Sequence, residues 1–276
     1  MRDCRVVPAN DRVAHLSLRG QVAGVAFVAG EWGRVIVPMA DLLEAPGGRR
    51  ARQVILGERF LTLERRNGLA FGQAERDAYV GYLAETALGP DGAATHWVCA
   101  PATHLYASAD IKRPEVALLT LGARLTVRRE VDARFVETDQ GLFALRPHLA
   151  VIGDRATDPV AVAMGFLGTP YLWGGNSRSG IDCSGLVQAA HLACGIACPG
   201  DADLQEAALG RELPPGVPLA RGDLLFWDGH VALAVDGGTL IHAAGHQMAV
   251  VLEGAEACMA RIAAQTGGGA TSRKRL

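Results

Sequence analysis

The chain has 276 residues, a formal net charge of −2 and a hydrophobic fraction of 49%. This length allows two or three small domains with sizeable cores, and the nearly neutral charge argues against a nucleic-acid or anionic-membrane partner. No stretch reaches the roughly 18 apolar residues of a membrane-spanning helix, and the first residues do not form a secretory signal. We therefore expect a globular protein of the cytoplasm.

The six cysteines are scattered along the chain and show no repeated metal-ligand spacing. Three residues separate Cys194 from Cys198, and no second pair repeats that interval. Thiols that are buried or exposed in a reducing compartment fit this pattern better than zinc ligands or disulfides. We expect no metal and no cofactor.

Short strand patterns separated by turns occupy residues from about 35 to 90. Their apolar runs fall at residues 52–56, 60–64, 69–73 and 78–83. Asn67-Gly68 lies between the second and third runs, and this dipeptide is a strong signal for a tight hairpin. The spacing predicts a small β-barrel, which strands near residues 25–28 and 34–37 would complete.

A second unit repeats this pattern more loosely between residues 95 and 149. Both units share a Leu-Gly step between strands, at Leu56-Gly57 and at Leu121-Gly122. A repeat of about 60 residues predicts two similar modules. They resemble a tandem of bacterial SH3-like domains, with the first in residues 1–90 and the second in residues 91–153.

The remaining residues, 154–276, predict an α+β domain because helical patterns come first and strand patterns follow. Asp158 and Pro159 are suited to the cap and first turn of a helix that reaches Phe166. Further helices are expected at residues 184–194 and 201–209, and strands at residues 224–227, 231–235, 239–243 and 248–252. The glycine-rich and basic tail, residues 267–276, is expected to be disordered.

Cys183 is the first candidate for chemistry in this domain. It lies where a helix is predicted to begin, and the unpaired N–H groups and dipole of a helix N-terminus favour a thiolate. The backbone N–H of Cys183 would also be placed to hold an oxyanion. The alternative is a buried structural cysteine.

His230 and His242 flank the turn signal Asp236-Gly237-Gly238. A hairpin centred on Asp236 would place the two histidines directly opposite each other, and one centred on Gly237 would place them diagonally on one face. Cys183 with two neighbouring imidazoles is the pattern of a nucleophile, its base and an orienting group. The alternative is two unrelated sheet histidines. His191 and His246 are expected to be structural or surface groups.

Five elements in order resemble the NlpC-type family of papain-like cell-wall peptidases. The elements are Thr169-Pro170-Tyr171-Leu172-Trp173-Gly174-Gly175, Asp182-Cys183-Ser184-Gly185-Leu186, Arg221-Gly222-Asp223-Leu224-Leu225-Phe226-Trp227, Gly229-His230-Val231-Ala232-Leu233 and Leu240-Ile241-His242-Ala243. The resemblance implies an α+β papain-like catalytic domain, preceded here by two all-β SH3-like barrels. It also implies a Cys183–His230–His242 triad that hydrolyses peptidoglycan stem peptides.

With two SH3-like modules in front, the chain looks like the γ-D-glutamyl-L-diamino acid endopeptidases. That subgroup implies a peptide substrate with a free N-terminal L-Ala ahead of γ-D-Glu, released during cell-wall recycling. The resemblance also assigns substrate-contacting residues, with Asp182 and Tyr79 at the amine, Glu44 as a second acidic contact, Ser184 as a further contact, and Tyr171 and Trp173 lining the cleft.

The chain departs from the resemblance at Ala202, where related enzymes often carry serine. This departure puts the preference around the D-Glu carboxylate in doubt, unless Asp201 or Asp203 replaces the lost contact. Two other functions remain open from the sequence. One is a catalytically inert murein-peptide binding protein, and the other is an acyltransferase or amidase on the same scaffold.

Overall fold

Residues 3–276 are described by the structure, a computed structural model, and they divide into two units between Ile152 and Gly153. Among these residues, no helix is long and apolar enough to cross a membrane. The first unit is built almost entirely from strands, whereas the second combines helices with one large sheet.

The first unit begins with two short parallel strands, β1 (Val13–His15) and β2 (Ala26–Val28). An antiparallel sheet of seven strands follows: β3 (Glu31–Val35), β4 (Met39–Leu43), β5 (Arg50–Ile55), β6 (Arg59–Arg66), β7 (Leu69–Ala74), β8 (Val80–Ala84) and β9 (Leu88–Pro90). Their spatial order is β5-β4-β8-β7-β6-β3-β9. Val35, Leu42, Phe60 and Leu83 pack at its centre and are almost completely buried.

The strand predictions for this sheet are confirmed. The four apolar runs form β5 to β8, and Asn67 and Gly68 make the turn between β6 and β7 with positive φ angles of 52° and 76°. A positive φ at two successive positions is what a tight hairpin turn requires. The segment near residue 34 joins the sheet as β3, whereas the one near residue 27 pairs with β1 outside it.

Eight strands make up the rest of the first unit: β10 (His96–Val98), β11 (Ala102–Tyr106), β12 (Glu115–Thr120), β13 (Arg124–Leu125), β14 (Val127–Glu130), β15 (Phe135–Thr138), β16 (Phe143–Leu145) and β17 (Leu149–Val151). They form sheets of order β13-β10-β17 and β12-β11-β16-β15-β14. The shared Leu-Gly step lies where the two groups of strands meet, because Leu56 packs among the second core and its carbonyl accepts the N–H of Arg124 at 2.8 Å.

The second unit contains four helices and eight strands among the described residues: α1 (Pro159–Met164), β18 (Asn176–Ser177), β19 (Gly180–Ile181), α2 (Cys183–Ala193), α3 (Ala202–Ala208), β20 (Arg211–Glu212), β21 (Leu224–Trp227), β22 (His230–Ala234), β23 (Thr239–Ala244), β24 (Ala249–Gly254), α4 (Ala255–Thr266) and β25 (Ser272–Arg275). Six of the strands form an antiparallel sheet of order β20-β25-β21-β22-β23-β24, and α4 packs on it through Cys258 and Ile262. The expected order of helices before strands is confirmed, and Asp158 caps α1 by accepting the N–H of Val160 at 2.9 Å.

The prediction of a disordered tail was wrong. Its last residues form β25, which pairs with both β20 and β21. Arg275 donates from Nε and Nη2 to the two carboxylate oxygens of buried Asp223, each at 2.7 Å. Backbone pairing to an otherwise open strand edge and a charge-assisted fork order this segment without apolar residues, so its composition alone misled.

Candidate active site

Cys183 is the first residue of α2, and the local sequence fixes it there. The Asp182 carboxylate caps the helix by accepting the N–H of Gly185 at 2.6 Å, while its other oxygen accepts the N–H of Gly174 at 2.8 Å. Gly185 has no room for a side chain, because a Cβ would lie 2.5 Å from the carbonyl oxygen of Gly175. The capped turn leaves the Sγ of Cys183 4.0 Å from the carbonyl oxygen of Gly229, the residue before His230.

The thiol of Cys183 is buried, and its pKa is shifted upwards. Its position at a helix N-terminus alone predicts a downward shift. Burial raises the pKa of the Cys183 thiol to about 12, and the negative charge of Asp182 adds to the effect. The backbone N–H groups of Val231, Ser184 and Cys183 act in the opposite direction but are outweighed. Burial therefore outweighs the helix N-terminus and opposes the thiolate that the helix position alone favours.

A neutral thiol predicts a steep pH dependence of alkylation at Cys183. Because the thiolate is the reactive form, we expect the rate of iodoacetamide labelling to rise about tenfold for each pH unit between about pH 7 and 10. A free cysteine peptide should level off above its pKa of about 8.5. Mass spectrometry of the Cys183 peptide measures the rate, and a plateau near neutral pH would show instead a preformed thiolate–imidazolium pair.

His230 and His242 lie on one face of the sheet and contact each other. Leu233 pairs with Ile241 and Ala234 with Leu240, so the hairpin is centred on Gly237 and the two histidines are diagonal neighbours. The Nε2 of His230 lies 2.8 Å from the Nδ1 of His242. The register centred on Gly237 is therefore the correct one. Both predicted registers place His230 and His242 on one face of the sheet.

Burial favours the neutral form of both imidazoles. It lowers the pKa of His230 to about 3, and the neighbouring His242 ring and the Arg261 cation add to the effect. It lowers the pKa of His242 to about 4, although the Glu253 carboxylate opposes that shift. The ring of Trp227 lies against His230, with centroids 5.6 Å apart. Burial therefore favours the neutral forms of the thiol and of the two bonded imidazoles, which can accept a proton during a reaction.

Glu253 is a site residue that the sequence reasoning missed. Its Oε2 lies 3.0 Å from the Nε2 of His242, on the side away from His230. Arg261 donates from Nε to Oε1 at 2.9 Å and from Nη2 to Oε2 at 2.6 Å, and these bonds lower the pKa of Glu253 to about 2. A lone glutamate near the end of a strand gives no sequence signal, and only the pairing of Leu240 with Glu253 brings it beside His242.

The same region offers three ligand atoms that could hold a metal ion. His242, Glu253 and Cys258 place one atom each within 4.8 Å of one another. The guanidinium of Arg261, however, already lies 2.6 Å from the Oε2 of Glu253 and 3.5 Å from the Sγ of Cys258. A metal ion would have to displace this cation, so the donor set fits the arginine better than a metal.

Three further residues predicted to contact substrate lie in the same unit as Cys183. Burial raises the pKa of the Tyr171 phenol, and Cys183 and Asp182 add to the effect. Trp173 is 67% exposed. Ser184 is buried and donates to the Oδ1 of Asp182 at 3.2 Å.

Tyr79 and Glu44 belong to the first unit. Tyr79 is 6% exposed and packs in the core of the seven-stranded sheet, with the guanidinium of Arg52 5.8 Å from its ring centre. Glu44 is exposed and lies 3.4 Å from the Nη2 of Arg49. Their roles as substrate contacts stay predictions.

The remaining residues of interest, His191, His246 and Ala202, have mainly local contacts. His191 is buried, and its Nδ1 bonds to the carbonyl of Val187 at 2.8 Å, as a structural histidine would. His246 is exposed, with its ring centre 6.5 Å from that of His242. Ala202 is the first residue of α3, whose Gln205 donates to the carbonyl of Ser184 at 2.8 Å and so ties α3 to α2.

Comparison with known families agrees with this geometry. Residues 168–261 match the model of the NlpC/P60 family, and residues 42–88 match the bacterial dipeptidyl-peptidase Sh3 domain. An NlpC/P60 family protein from Bacillus cereus ATCC 10987 has the same fold, with a TM-score of 0.73 over 89% of this chain and 99% of that one at 20% identity. The chain thus carries an NlpC/P60 domain behind an N-terminal bacterial SH3 domain, and this part of the predicted resemblance is confirmed. The second SH3-like module stays a prediction.

Within this class, the chain is homologous to γ-D-glutamyl-L-lysine dipeptidyl-peptidases. It is 37% identical over 158 residues to the enzyme of that name from Bacillus subtilis (strain 168), which covers 51% of each chain. It is 42% identical over 84 residues to dipeptidyl-peptidase 6 of Lysinibacillus sphaericus, which covers 30% of this chain and 31% of the relative. The chain therefore aligns with a third to a half of the length of these two relatives.

Proposed function

We propose that this chain is a cysteine endopeptidase that hydrolyses the γ-D-Glu–L-diamino acid bond of peptidoglycan stem peptides. The observation that carries the proposal is the His230–His242 pair, bonded at 2.8 Å, together with a cysteine at a helix N-terminus whose Sγ lies 4.0 Å from the carbonyl oxygen of Gly229, the residue before His230. The homology to peptidases named for the γ-D-glutamyl-L-lysine bond supports the choice of substrate. A protein that only bound wall peptides would need neither the thiol nor the imidazole pair.

The reaction follows from the chemistry of these three side chains. Cys183 attacks the γ-carbonyl carbon of D-Glu while His230 takes the thiol proton, and the backbone N–H of Cys183 holds the oxyanion. The carbon–nitrogen bond then breaks, and His230 returns the proton to the leaving amine of the diamino acid. Water hydrolyses the thioester with His230 as base, which releases the L-Ala-γ-D-Glu dipeptide and restores the thiol.

The neutral state of the free site determines when charge appears. Because burial opposes ionisation of both Cys183 and His230, we propose that the thiolate and imidazolium form as the thiol attacks. Proton transfer to His230 would then accompany formation of the carbon–sulfur bond to the bound carbonyl. Such a site would react little with solvent electrophiles when no substrate is bound.

The substrate is proposed to carry a free N-terminal L-Ala, whose ammonium group is bound by Asp182. Tyr79 and Glu44 of the first unit stay predicted substrate contacts. Ser184, Tyr171 and Trp173 are proposed to complete the contacts around the dipeptide. The capping bonds of Asp182 support an additional role, because they hold Cys183 at the first turn of α2. The residues around Ala202 are proposed to set the enzyme's preference at the D-Glu carboxylate of the substrate.

The proposed setting is the recycling of wall peptides in the cytoplasm. All six cysteines are free thiols in the structure, which is the usual state in a reducing compartment. We also propose the domain bounds predicted from the sequence, with SH3-like modules at residues 1–90 and 91–153 and the peptidase at residues 154–276. Fractionation of the native host tests the location, and recovery in the cell-envelope fraction would contradict it.

The proposed amine requirement is tested with L-Ala-γ-D-Glu-meso-diaminopimelate beside its N-acetylated twin. Losing one partner of a desolvated charge pair costs about 2 kcal/mol or more, so we expect kcat/KM to fall at least about 30-fold on acetylation. Product release followed by mass spectrometry measures both rates. Equal cleavage of the two peptides would remove the amine site from the proposal, and cleavage of neither would favour a binding protein or a transferase.

A further inference from the structure

Glu253 and Arg261 form an anchored carboxylate behind the histidine pair. The sheet places Glu253 on the same face as His242, and Arg261 reaches it from α4 with two nitrogen donors. The side chain of Glu253 is only 13% exposed, and that of His242 is fully buried. A fixed carboxylate at this position, bonded to the nitrogen of His242 that does not meet His230, would act on a reaction through His242.

The chain of contacts determines which nitrogens carry protons. A carboxylate that Arg261 keeps ionised can only accept hydrogen bonds, so the Nε2 of His242 must be the protonated nitrogen. Neutral His242 then presents a lone pair at Nδ1, which accepts the Nε2–H of His230 at 2.8 Å. Neutral His230 is left with its lone pair at Nδ1.

We propose that Glu253 is a positioning residue that fixes the tautomer of His242, and through it that of His230, so that the Nδ1 of His230 is the proton acceptor for Cys183. The inference rests on the proposed function, because it assigns an atom to the base of that reaction. It adds a carboxylate and an arginine to the three side chains that the sequence predicts. The relay Arg261–Glu253–His242–His230 then runs from α4 to the reacting thiol.

A purely structural role for the Glu253–Arg261 pair would make a different prediction. Such a pair would tie β24 to α4, and its loss would lower stability without altering either imidazole. The chain offers a matched control, because Asp223 is also a buried carboxylate held by a two-pronged arginine, Arg275, at 2.7 Å on each oxygen. Asp223→Asn therefore removes a comparable ion pair from the same unit without touching the histidines.

The experiment compares wild type, Glu253→Ala, Glu253→Gln and Asp223→Asn by two readouts in the full chain. The first is nitrogen NMR of ¹⁵N-histidine-labelled protein, with His230→Asn and His242→Asn used to assign the signals. Wild type should show both histidines protonated at Nε2, and Glu253→Ala should lose that single tautomer at both. Glu253→Gln keeps an acceptor oxygen and should retain the tautomer in part. Asp223→Asn should match wild type.

The second readout is the hydrolysis of L-Ala-γ-D-Glu-meso-diaminopimelate. We expect Glu253→Ala to lower kcat by about 10-fold to 100-fold, by analogy with the loss when a partner that orients a metal-ligating imidazole is removed. KM should stay within about twofold, since Glu253 is held by Arg261 and His242, and kcat for Glu253→Gln should lie between those of wild type and Glu253→Ala. Unchanged tautomers, or a kcat for Glu253→Ala equal to that of Asp223→Asn, would overturn the proposal.

The two readouts separate this inference from the proposed function. If wild type fails to cleave the peptide but Glu253→Ala still changes both tautomers, the reaction is wrong and the positioning role stands. If wild type cleaves the peptide but Glu253→Ala leaves both tautomers unchanged, the proposed reaction stands and the positioning role is wrong. Should Glu253→Ala fail to fold, Glu253→Gln with the same readouts decides the question.

Discussion

Replacing Cys183 by alanine is expected to lower the rate of tripeptide hydrolysis by at least about 10⁴-fold. Removing the nucleophile of a covalent mechanism leaves only the binding and oxyanion contributions, and losses of this size or larger are typical. The substitution removes one sulfur atom from a buried position next to a tightly packed turn, so KM for the peptide should change little. Steady-state kinetics with the purified variant measure both parameters.

The matched control is Cys194→Ala, at the other end of the same helix. Cys194 is half-buried, follows the last residue of α2 and makes no contact with His230 or His242 in the described contacts. Its replacement should leave kcat within about twofold of wild type. Equal activity of Cys183→Ala and Cys194→Ala would mean that Cys183 is a buried structural thiol, which is the alternative that the sequence left open.

Replacing His230 by alanine is expected to have the second largest effect, a loss of about 10³-fold in kcat. General acid–base catalysis contributes about 10²-fold to 10⁴-fold, and His230 serves as acid and base in both half-reactions. His242→Ala should cost less, because His242 acts through His230 and touches no reacting atom. We expect His230→Ala to be more severe than His242→Ala because the relay ends at His230, which exchanges the proton with Cys183.

His246→Ala serves as the control for the histidine variants. Its ring centre is 6.5 Å from that of His242, but it is exposed and its Nε2 bonds to Gln247. We expect its kcat to match wild type. If His242→Ala proved more damaging than His230→Ala, the two imidazoles would have exchanged roles, and the proton acceptor assigned to His230 would be wrong.

The sequence predicted the position of the site because its main features are local. A cap at Asp182 starts a helix at Cys183, and a turn at Gly237 brings His230 and His242 onto one face of a hairpin. Because side chains alternate along a strand, the two histidines share a face whether the hairpin is centred on Asp236 or on Gly237. These steps needed only neighbouring residues, so short patterns were enough.

Features that depend on contacts between segments far apart in the chain could not be predicted from the sequence. Glu253 meets His242 only because β24 pairs with β23 in one particular register, and Arg261 reaches it only because α4 folds back over that strand. The pKa of Cys183 depends on how completely the fold covers its sulfur, which outweighed the helix N-terminus. The basic tail became β25 because Asp223 lies buried at the edge that it covers.

The most direct test of the proposed peptidase is the identity of the products formed from L-Ala-γ-D-Glu-meso-diaminopimelate. Mass spectrometry of wild-type digests should show the L-Ala-γ-D-Glu dipeptide and free diaminopimelate in equal amounts, and Cys183→Ala digests should retain the intact peptide. Intact peptide after incubation with folded wild-type protein, or release of L-Ala in place of diaminopimelate, would contradict the assignment of this bond to the Cys183 site.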